Sequence, residues 1–171
     1  MTSTAVCRSQ QTATVTVMGP SGAGVRTMIE SASDIDRLPS VAGSPGRRPP
    51  FQVGRLDIGE QLVVRLLALS PDGLHRSLWP ALTADALGVA VVVDGRQIGA
   101  GFGSLDHVER AGLPYGVIVN RFDDHLDHTL AEIRSAMDLP DRVVLVDGDG
   151  RDRVQAQMAL LTVLDGLFAW S

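Results

Sequence analysis

The chain has 171 residues, of which 44% are hydrophobic and 20% are charged, and its formal net charge is −5. This composition is typical of a single globular domain and excludes a disordered or fibrous chain, while the acidic balance and the absence of a basic stripe argue against nucleic-acid binding. The sequence has no apolar stretch near the ~20 residues of a membrane span, one cysteine and no signal-peptide pattern, so we expect a cytoplasmic protein without membrane insertion.

The first part of the chain predicts a strand, a glycine-rich turn and a helix. Residues 1–11 are small and polar, and we expect a flexible N-terminal tail ahead of one domain that spans residues 12–171. Residues 12–19 are rich in β-branched side chains and end in glycine, which predicts a strand. After a glycine-rich stretch, residues 25–33 can form a helix, and the four prolines of residues 34–50 indicate a loop.

The next part predicts a hairpin and a buried strand. Two apolar runs, 51–56 and 61–69, are joined by Asp-Ile-Gly-Glu, which favours an antiparallel pair. A helix is expected through Trp79 to about Leu87. Residues 89–93 are continuously apolar, as in a strand that is buried on both faces of a parallel sheet.

The remaining sequence alternates helices with strands. We expect, in order, a helix at 105–111, a strand at 115–120, a helix at 130–137 and a strand at 143–146. The last segment is predicted to be an amphipathic helix whose buried face carries Val154, Met158, Leu161, Leu164 and Leu167. The order predicts a mostly parallel six-stranded α/β sheet with one antiparallel edge strand and helices on both faces. This is the architecture of P-loop small GTPases, although periodicity alone also allows a flavodoxin-like fold.

The glycine-rich stretch lies between a strand and a helix, where a phosphate-binding loop belongs. A working loop reads G-x-x-x-x-G-K-[ST]: its backbone N–H groups surround phosphate, its lysine neutralises phosphate oxygens and its hydroxyl ligates magnesium. Here Gly19 and Gly24 keep the spacing, but Val25 replaces the lysine and Arg26 the hydroxyl, and the chain contains no lysine at all. If nucleotide still binds, Gly19, Gly22 and Gly24 are the expected contacts. The alternative is a glycine-rich turn that only folds tightly.

Three further segments carry a family resemblance. They are QVGRL at 52–56, LSPDGLHRS at 69–77 and NRFD at 120–123, directly after a predicted strand. With them, the chain resembles the small GTPases of actinobacterial conservons, which are related to the gliding-motility small GTPases. The corresponding family motifs are a D-F-G-R-I-like stretch, F-G-T-P-G-Q-x-R-F and N-x-F-D. The resemblance covers roughly residues 12–170 and is weaker in the first half.

The resemblance implies a base-reading pair. In the family, the residue at Asp123 accepts hydrogen bonds from guanine, and the residue at Asn120 braces the surrounding loops, so GDP or GTP could bind here without magnesium. The alternative is ordinary turn chemistry, since Asn and Asp readily follow a strand. Residues 147–150 align with the family's final base-contacting loop but are more typical of an acidic surface turn. Arg26 could bind an anion in place of the metal site, or fill the phosphate space itself.

The family's catalytic positions are changed as well. Its switch threonines fall near Arg47 and Arg48, and the glutamine that orients the attacking water falls at Leu74. Together with the degenerate P-loop, these changes remove charge neutralisation, metal ligation and water positioning, so we expect neither catalytic residues nor a metal site. The leading hypothesis is a pseudo-GTPase that acts as a regulatory interaction module. The alternatives are a genuine GTP/GDP switch with very slow or partner-dependent hydrolysis, and an adaptor that keeps only the fold.

The expected partner also follows from the resemblance. Conservon GTPases are encoded with a roadblock/LC7-type protein, so such a protein is the partner we expect. It would contact the switch face, which consists of residues 34–50 and 70–80. The side chains expected at this interface are Phe51, Leu74, Leu78 and Trp79.

Overall fold

The structure is a computed structural model, and it describes residues 10–35, 51–69, 79–124 and 126–170, with the side chains of residues 51, 69 and 82 left out. Most of the predicted loop 34–50, and residues 70–78, therefore lie outside the described residues. The described part contains six strands, five α-helices and one short 3₁₀ helix. In chain order these are β1 (Gln11–Met18), α1 (Val25–Ala32), β2 (Phe51–Ile58), β3 (Leu62–Leu69), α2 (Trp79–Thr83), β4 (Gly88–Asp94), the 3₁₀ helix (Ile98–Gly101), α3 (Phe102–Arg110), β5 (Tyr115–Asn120), α4 (Leu130–Ala136), β6 (Leu145–Gly148) and α5 (Arg153–Trp170).

The six strands form one sheet in the order β2-β3-β1-β4-β5-β6. Neighbouring strands are parallel except β2 and β3, whose hairpin places β2 antiparallel at one edge. The predicted sheet is therefore confirmed, including its antiparallel edge strand. The chain turns to opposite sides of the sheet at β1 and β4, and ligand crevices in open α/β sheets form at such points, outside the carboxyl ends of the strands. The loop after β1 lies there.

Helices cover both faces of the sheet. One hydrophobic cluster joins α1 and α5 to the sheet, and the other joins Trp79, α3 and α4 to its opposite face. All seven residues of β4 are buried between these layers, as the run of valines predicts. Among the described residues, no helix combines the length and the apolar character that crossing a membrane requires.

Several boundaries differ from the predicted ones. β1 begins at Gln11, inside the predicted tail, because the backbone N–H of Gln11 donates to the carbonyl of Gln61 at 2.7 Å. The helix α2 ends at Thr83 rather than near Leu87, whose N–H already donates to the carbonyl of Thr14 at 2.8 Å and leads the chain into the sheet. The last strand begins two residues late, because the N–H of Val143 closes a turn.

The predicted buried face of the last helix is correct at Leu164 and Leu167 but wrong at Val154 and Met158. Val154 and Met158 are 67% and 60% exposed. The face that meets the sheet instead carries Ala156, Ala159, Leu160, Val163, Leu164 and Leu167. Sheet glycines select this face because they admit close approach: a Cβ on Gly116 would lie 2.9 Å from Val163 Cγ1, and one on Gly88 would lie 2.6 Å from Leu167 Cδ2. Since α5 is apolar on both sides, periodicity cannot tell which side is buried.

Candidate functional site

The glycine-rich loop leads from β1 into α1 through two left-handed residues. Gly22 and Gly24 both have φ +87°. Between them, the N–H of Ala23 donates to the carbonyl of Pro20 at 3.1 Å, which closes a tight turn. The first turn of α1 has no acidic residue, and no side chain caps its start. The loop thus has the backbone form of a βα turn at the crevice.

Two of the motif glycines are required by packing alone. A Cβ on Gly19 would lie 2.3 Å from the carbonyl oxygen of Val92, and one on Gly24 would lie 2.2 Å from Asn120 Nδ2. Gly22 has no described atom within 4 Å of its Cβ position, so only its backbone conformation favours glycine. The spacing of Gly19 and Gly24 therefore has a structural cause that is independent of nucleotide.

Asn120 joins three loops at the end of β5. Its Nδ2 donates to the carbonyl of Ala23 at 2.8 Å, and its Oδ1 accepts from the N–H of Gly150 at 2.8 Å. The side chain is buried, with 3% of the residue exposed. Both halves of the amide are used by the protein itself, so the geometry agrees with the bracing role that the resemblance implies.

Two arginines hold the segment that follows β5. The guanidinium of Arg96 lies 3.9 Å from the ring centroid of Phe122 and donates to both carboxylate oxygens of Asp94, at 3.0 and 2.8 Å. From the β6–α5 loop, Arg151 Nη2 donates to the carbonyl of Phe122 at 2.8 Å and also to Asp149 Oδ2 at 2.7 Å. The Phe122 ring in turn reaches to 3.4 Å from the Cβ position of Gly24.

Asp123, the residue expected to read the base, is exposed. Its charge is close enough to interact with those of Arg96 and Arg151. The pKa of Arg96 is raised, chiefly by its hydrogen bond to Asp94 and in smaller part by the charge of Asp123. The pKa of Arg151 is likewise raised, chiefly by its hydrogen bond to Asp149, with Asp123 contributing. Asp123 is thus placed at the crevice, but base contact stays a prediction.

The side chain of Arg121 is turned away from the glycine-rich loop. Its Nη2 donates to Gln155 Oε1 at 2.5 Å, and its Nε lies 2.9 Å from Asp147 Oδ2. The guanidinium therefore connects β5 to β6 and α5. The acidic surface turn predicted at 147–150 is instead the end of β6 and a packed loop: Gly148 and Gly150 are buried, and the two aspartates bind Arg121 and Arg151.

The positions of the missing lysine and hydroxyl are occupied differently. Val25 is partly buried and packs against the hydrophobic cluster beneath α1. The carbonyl of Arg26 accepts a long hydrogen bond, 3.4 Å, from Gln52 Nε2, and no ion pair joins Arg26 to a described carboxylate. Among the described residues, no three His, Cys, Asp or Glu side chains are grouped as metal ligands would be.

The expected partner surface is reached only in part by the described residues. Trp79 is 7% exposed, and its indole packs edge-on against His107 with the ring centroids 4.7 Å apart. The expectation that Trp79 contacts a partner is therefore corrected: it belongs to the core beneath α3. Phe51 begins β2, but its side chain is not described. Leu74 and Leu78 lie outside the described residues.

Sequence reasoning did not identify Arg96, Arg151 or Phe122 as site residues. The nearest signal for Arg151 was the acidic segment 147–150 directly before it, which we interpreted as a surface turn. For Arg96, no local pattern indicates that its side chain reaches Phe122, which lies on another loop.

Comparisons with known proteins show the fold. No family model matches the sequence, and no curated protein matches it. One similar solved structure is the Arl6 BBS3 small GTPase from Trypanosoma brucei, determined with the nucleotide analogue GppNp. The match has a TM-score of 0.66 at 14% identity, and it includes 94% of this chain and 100% of the Arl6 chain. The G-domain of FeoB from Methanococcus jannaschii has a TM-score of 0.69 at 8% identity, covering 93% and 99%. The chain therefore has the small-GTPase fold.

Proposed function

We propose that the chain is a degenerate small GTPase of the conservon type, a pseudo-GTPase that acts as a regulatory interaction module with a roadblock/LC7-type partner. The observation that supports this proposal is a contrast between the base side and the phosphate side of the crevice. The loops on the base side are tied together by the protein's own side chains, whereas the phosphate side lacks the groups that phosphoryl transfer needs.

The phosphate side lacks a cation and a metal ligand at the required positions. Phosphoryl transfer depends on neutralising the β/γ oxygens and on holding magnesium. Val25 packs into the hydrophobic cluster, so the position of the lysine is part of the core. Arg26 has no hydroxyl, and a guanidinium cannot ligate magnesium. These substitutions remove two terms of the reaction, and Leu74 would remove the third.

The base side needs no ligand to connect its loops. Asn120 links the glycine-rich loop to the β6–α5 loop, and Arg151 links the β6–α5 loop to Phe122. The guanidinium of Arg96 stacks on the ring of Phe122. The switch segments of a GTPase are different, because the γ-phosphate and magnesium order them and hydrolysis releases them. Without phosphoryl transfer there is no such release, which favours a switch face that keeps one state.

The proposal predicts no hydrolysis. In a single-turnover assay, phosphate release from GTP should not exceed the background without protein, with or without magnesium. Heat denaturation of purified protein should release no stoichiometric nucleotide. A magnesium-dependent rate that is lost on substituting a residue of this chain would contradict the proposal.

The second candidate is a genuine nucleotide-binding switch, which the exposed carboxylate of Asp123 beside a structured loop favours. This candidate predicts weak GDP binding in calorimetry without magnesium, and Asp123→Ala should abolish it. Asp124→Ala is the matched control, since Asp124 is an exposed neighbour outside the base-reading pair. If Asp123→Ala and Asp124→Ala bind GDP as the unmodified chain does, the base-reading assignment is wrong.

The partner is tested through the switch face. A roadblock-type protein should co-purify with this chain whether or not nucleotide is added, and Leu74→Glu should weaken the complex with little change in thermal midpoint. Phe102→Glu is the control, because Phe102 is 45% exposed and lies on α3, outside the switch face. If Leu74→Glu stays folded and binds fully, the switch face is not the interface. If it unfolds the protein, Leu74 is a core residue.

A further inference from the structure

The outward face of α5 is unusually poor in charge. This 18-residue helix contains two charged residues, Arg153 at its start and Asp165 in its second half. Val154, Met158 and Phe168 on this helix are 67%, 60% and 47% exposed. Interface cores are depleted in charge and enriched in methionine and aromatic residues, so this face has the composition of a covered surface.

The spacing of these residues is that of a helix-pairing seam. Val154, Met158, Leu161, Asp165 and Phe168 follow one another at intervals of four, three, four and three residues. Alternating intervals of three and four keep one stripe facing a partner helix. Leu161 is partly buried and joins the seam to the core. This outward seam is the second apolar stripe of α5, distinct from the stripe that packs on the sheet.

We propose that this seam binds the α5 helix of a second copy of the chain in the antiparallel orientation. The two charges decide the orientation. A parallel pair would place Asp165 beside Asp165 of the other copy, and like charges within a seam are unfavourable. An antiparallel pair places each Asp165 near the first turn of the other helix, which carries Arg153 and the positive end of the helix dipole.

Arg153 keeps enough exposed surface for this role. Its guanidinium pairs with Asp34, yet the side chain remains 55% exposed. Arg153 and Asp165 are twelve residues apart, about 18 Å along a helix, so one antiparallel register matches both ends of the pair at once. In that register residues 153–165 overlap, and Phe168 lies beyond the paired turns. The seam is thus self-complementary in charge as well as in apolar character.

The size of the seam limits the strength of the pair. The overlap of residues 153–165 is ~20 Å long and ~10 Å wide, so it offers roughly 200 Å². Stable interfaces bury about 800 Å² per partner. We therefore expect a weak dimer whose population depends on concentration. This inference concerns the sheet face opposite Trp79 and stands independently of the proposed function.

Sedimentation of the full chain tests the dimer. Between ~5 and ~500 µM, the weight-average mass should rise from the monomer value of 18.2 kDa towards twice that value. Met158→Glu should weaken association at least ~10-fold, because it places a charge in the centre of the seam. Phe102→Glu is the matched control and should leave association unchanged, since it adds the same charge at an exposed apolar residue on the other face of the sheet.

A separate variant tests whether the two helices pair antiparallel or parallel. Asp165→Asn removes the charge and keeps the shape, so it should weaken an antiparallel pair ~2- to 3-fold but strengthen a parallel one. Strengthening would overturn the orientation. A chain that stays monomeric over the whole range would overturn the second copy as the occupant, leaving the seam for a helix of another protein. Equal losses in Met158→Glu and Phe102→Glu would overturn the location.

Discussion

The two sides of the crevice are built on different principles. On the phosphate side, the glycine-rich loop is held mainly by backbone geometry, with one turn hydrogen bond and two glycines fixed by close approach, and one side chain, Asn120, binds it at the carbonyl of Ala23. On the base side, charged and amide side chains connect the loops after β4, β5 and β6. The first side depends on backbone conformation and close packing. The second keeps its connections through the protein's own groups.

This difference bears on which crevice residues the fold itself requires. The bonds of Asn120 satisfy backbone groups of Ala23 and Gly150 that would otherwise be buried without partners, so selection for folding alone can preserve it. Asp123 makes no such bond in the described structure. The two residues of the base-reading pair should therefore respond differently to substitution, which the following variants test.

The largest loss of unfolding free energy is expected from a substitution at Gly24, where the glycine-rich loop contacts Asn120. Gly24→Ala would place a Cβ 2.2 Å from Asn120 Nδ2 in a left-handed residue, so it should lower the free energy of unfolding by about 4 kcal/mol. Gly22→Ala is the matched control: Gly22 has the same φ of +87° but open space around it, so about 1 kcal/mol is expected. Urea unfolding measures both. Equal losses would show that the contact with Asn120 does not matter.

The next effect separates the base-reading pair. Asn120→Ala should cost about 2 to 3 kcal/mol, because it leaves a buried N–H and a buried carbonyl without partners. Asp123→Ala should change the free energy of unfolding by less than ~0.5 kcal/mol, since the residue is exposed. Chemical denaturation of both variants without nucleotide measures the difference. A comparable loss for Asp123→Ala would mean that the carboxylate is part of the brace.

The smallest effect concerns pH. The hydrogen bond from Arg96 is the main cause that lowers the pKa of Asp94 below its ordinary value of 3.8. A lowered folded-state pKa stabilises the protein above the unfolded pKa, and this contribution is lost as the pH falls through the folded value. The difference in unfolding free energy between the unmodified chain and Arg96→Ala should therefore be constant near neutral pH and shrink below about pH 4.

Urea titrations from about pH 2.5 to 7 measure this dependence. Arg110→Ala is the control, because it removes an ion pair with Asp106 in which both side chains are largely exposed, at 81% and 60%. Such surface pairs contribute little at any pH. A difference for Arg96→Ala that persists unchanged into acid would mean that its stacking on Phe122, rather than its charge, carries the effect.

The sheet could be predicted because its signals are local. The valines of 89–93 and the hairpin at 51–69 define strands by composition, and the alternation of helices and strands predicts a mostly parallel sheet with one antiparallel edge strand. The buried face of α5 could be predicted only in part, because two apolar stripes compete and the sheet glycines that decide between them are distant in sequence. The contacts of Arg96 and Arg151 with Phe122 were missed for a similar reason, because the two arginines lie on loops 26 and 29 residues away from it.

The bridge made by Asn120 also bears on how slowly the protein unfolds. It joins residues 97 and 30 positions apart along the chain, so it can close only after both halves of the sheet have assembled. A contact that forms after the folding barrier is absent from the transition state, and its loss accelerates unfolding while leaving the folding rate nearly unchanged. The side-chain amide of Asn120 would then stabilise the native state by slowing unfolding, and its contribution is measured as the lifetime of the native state.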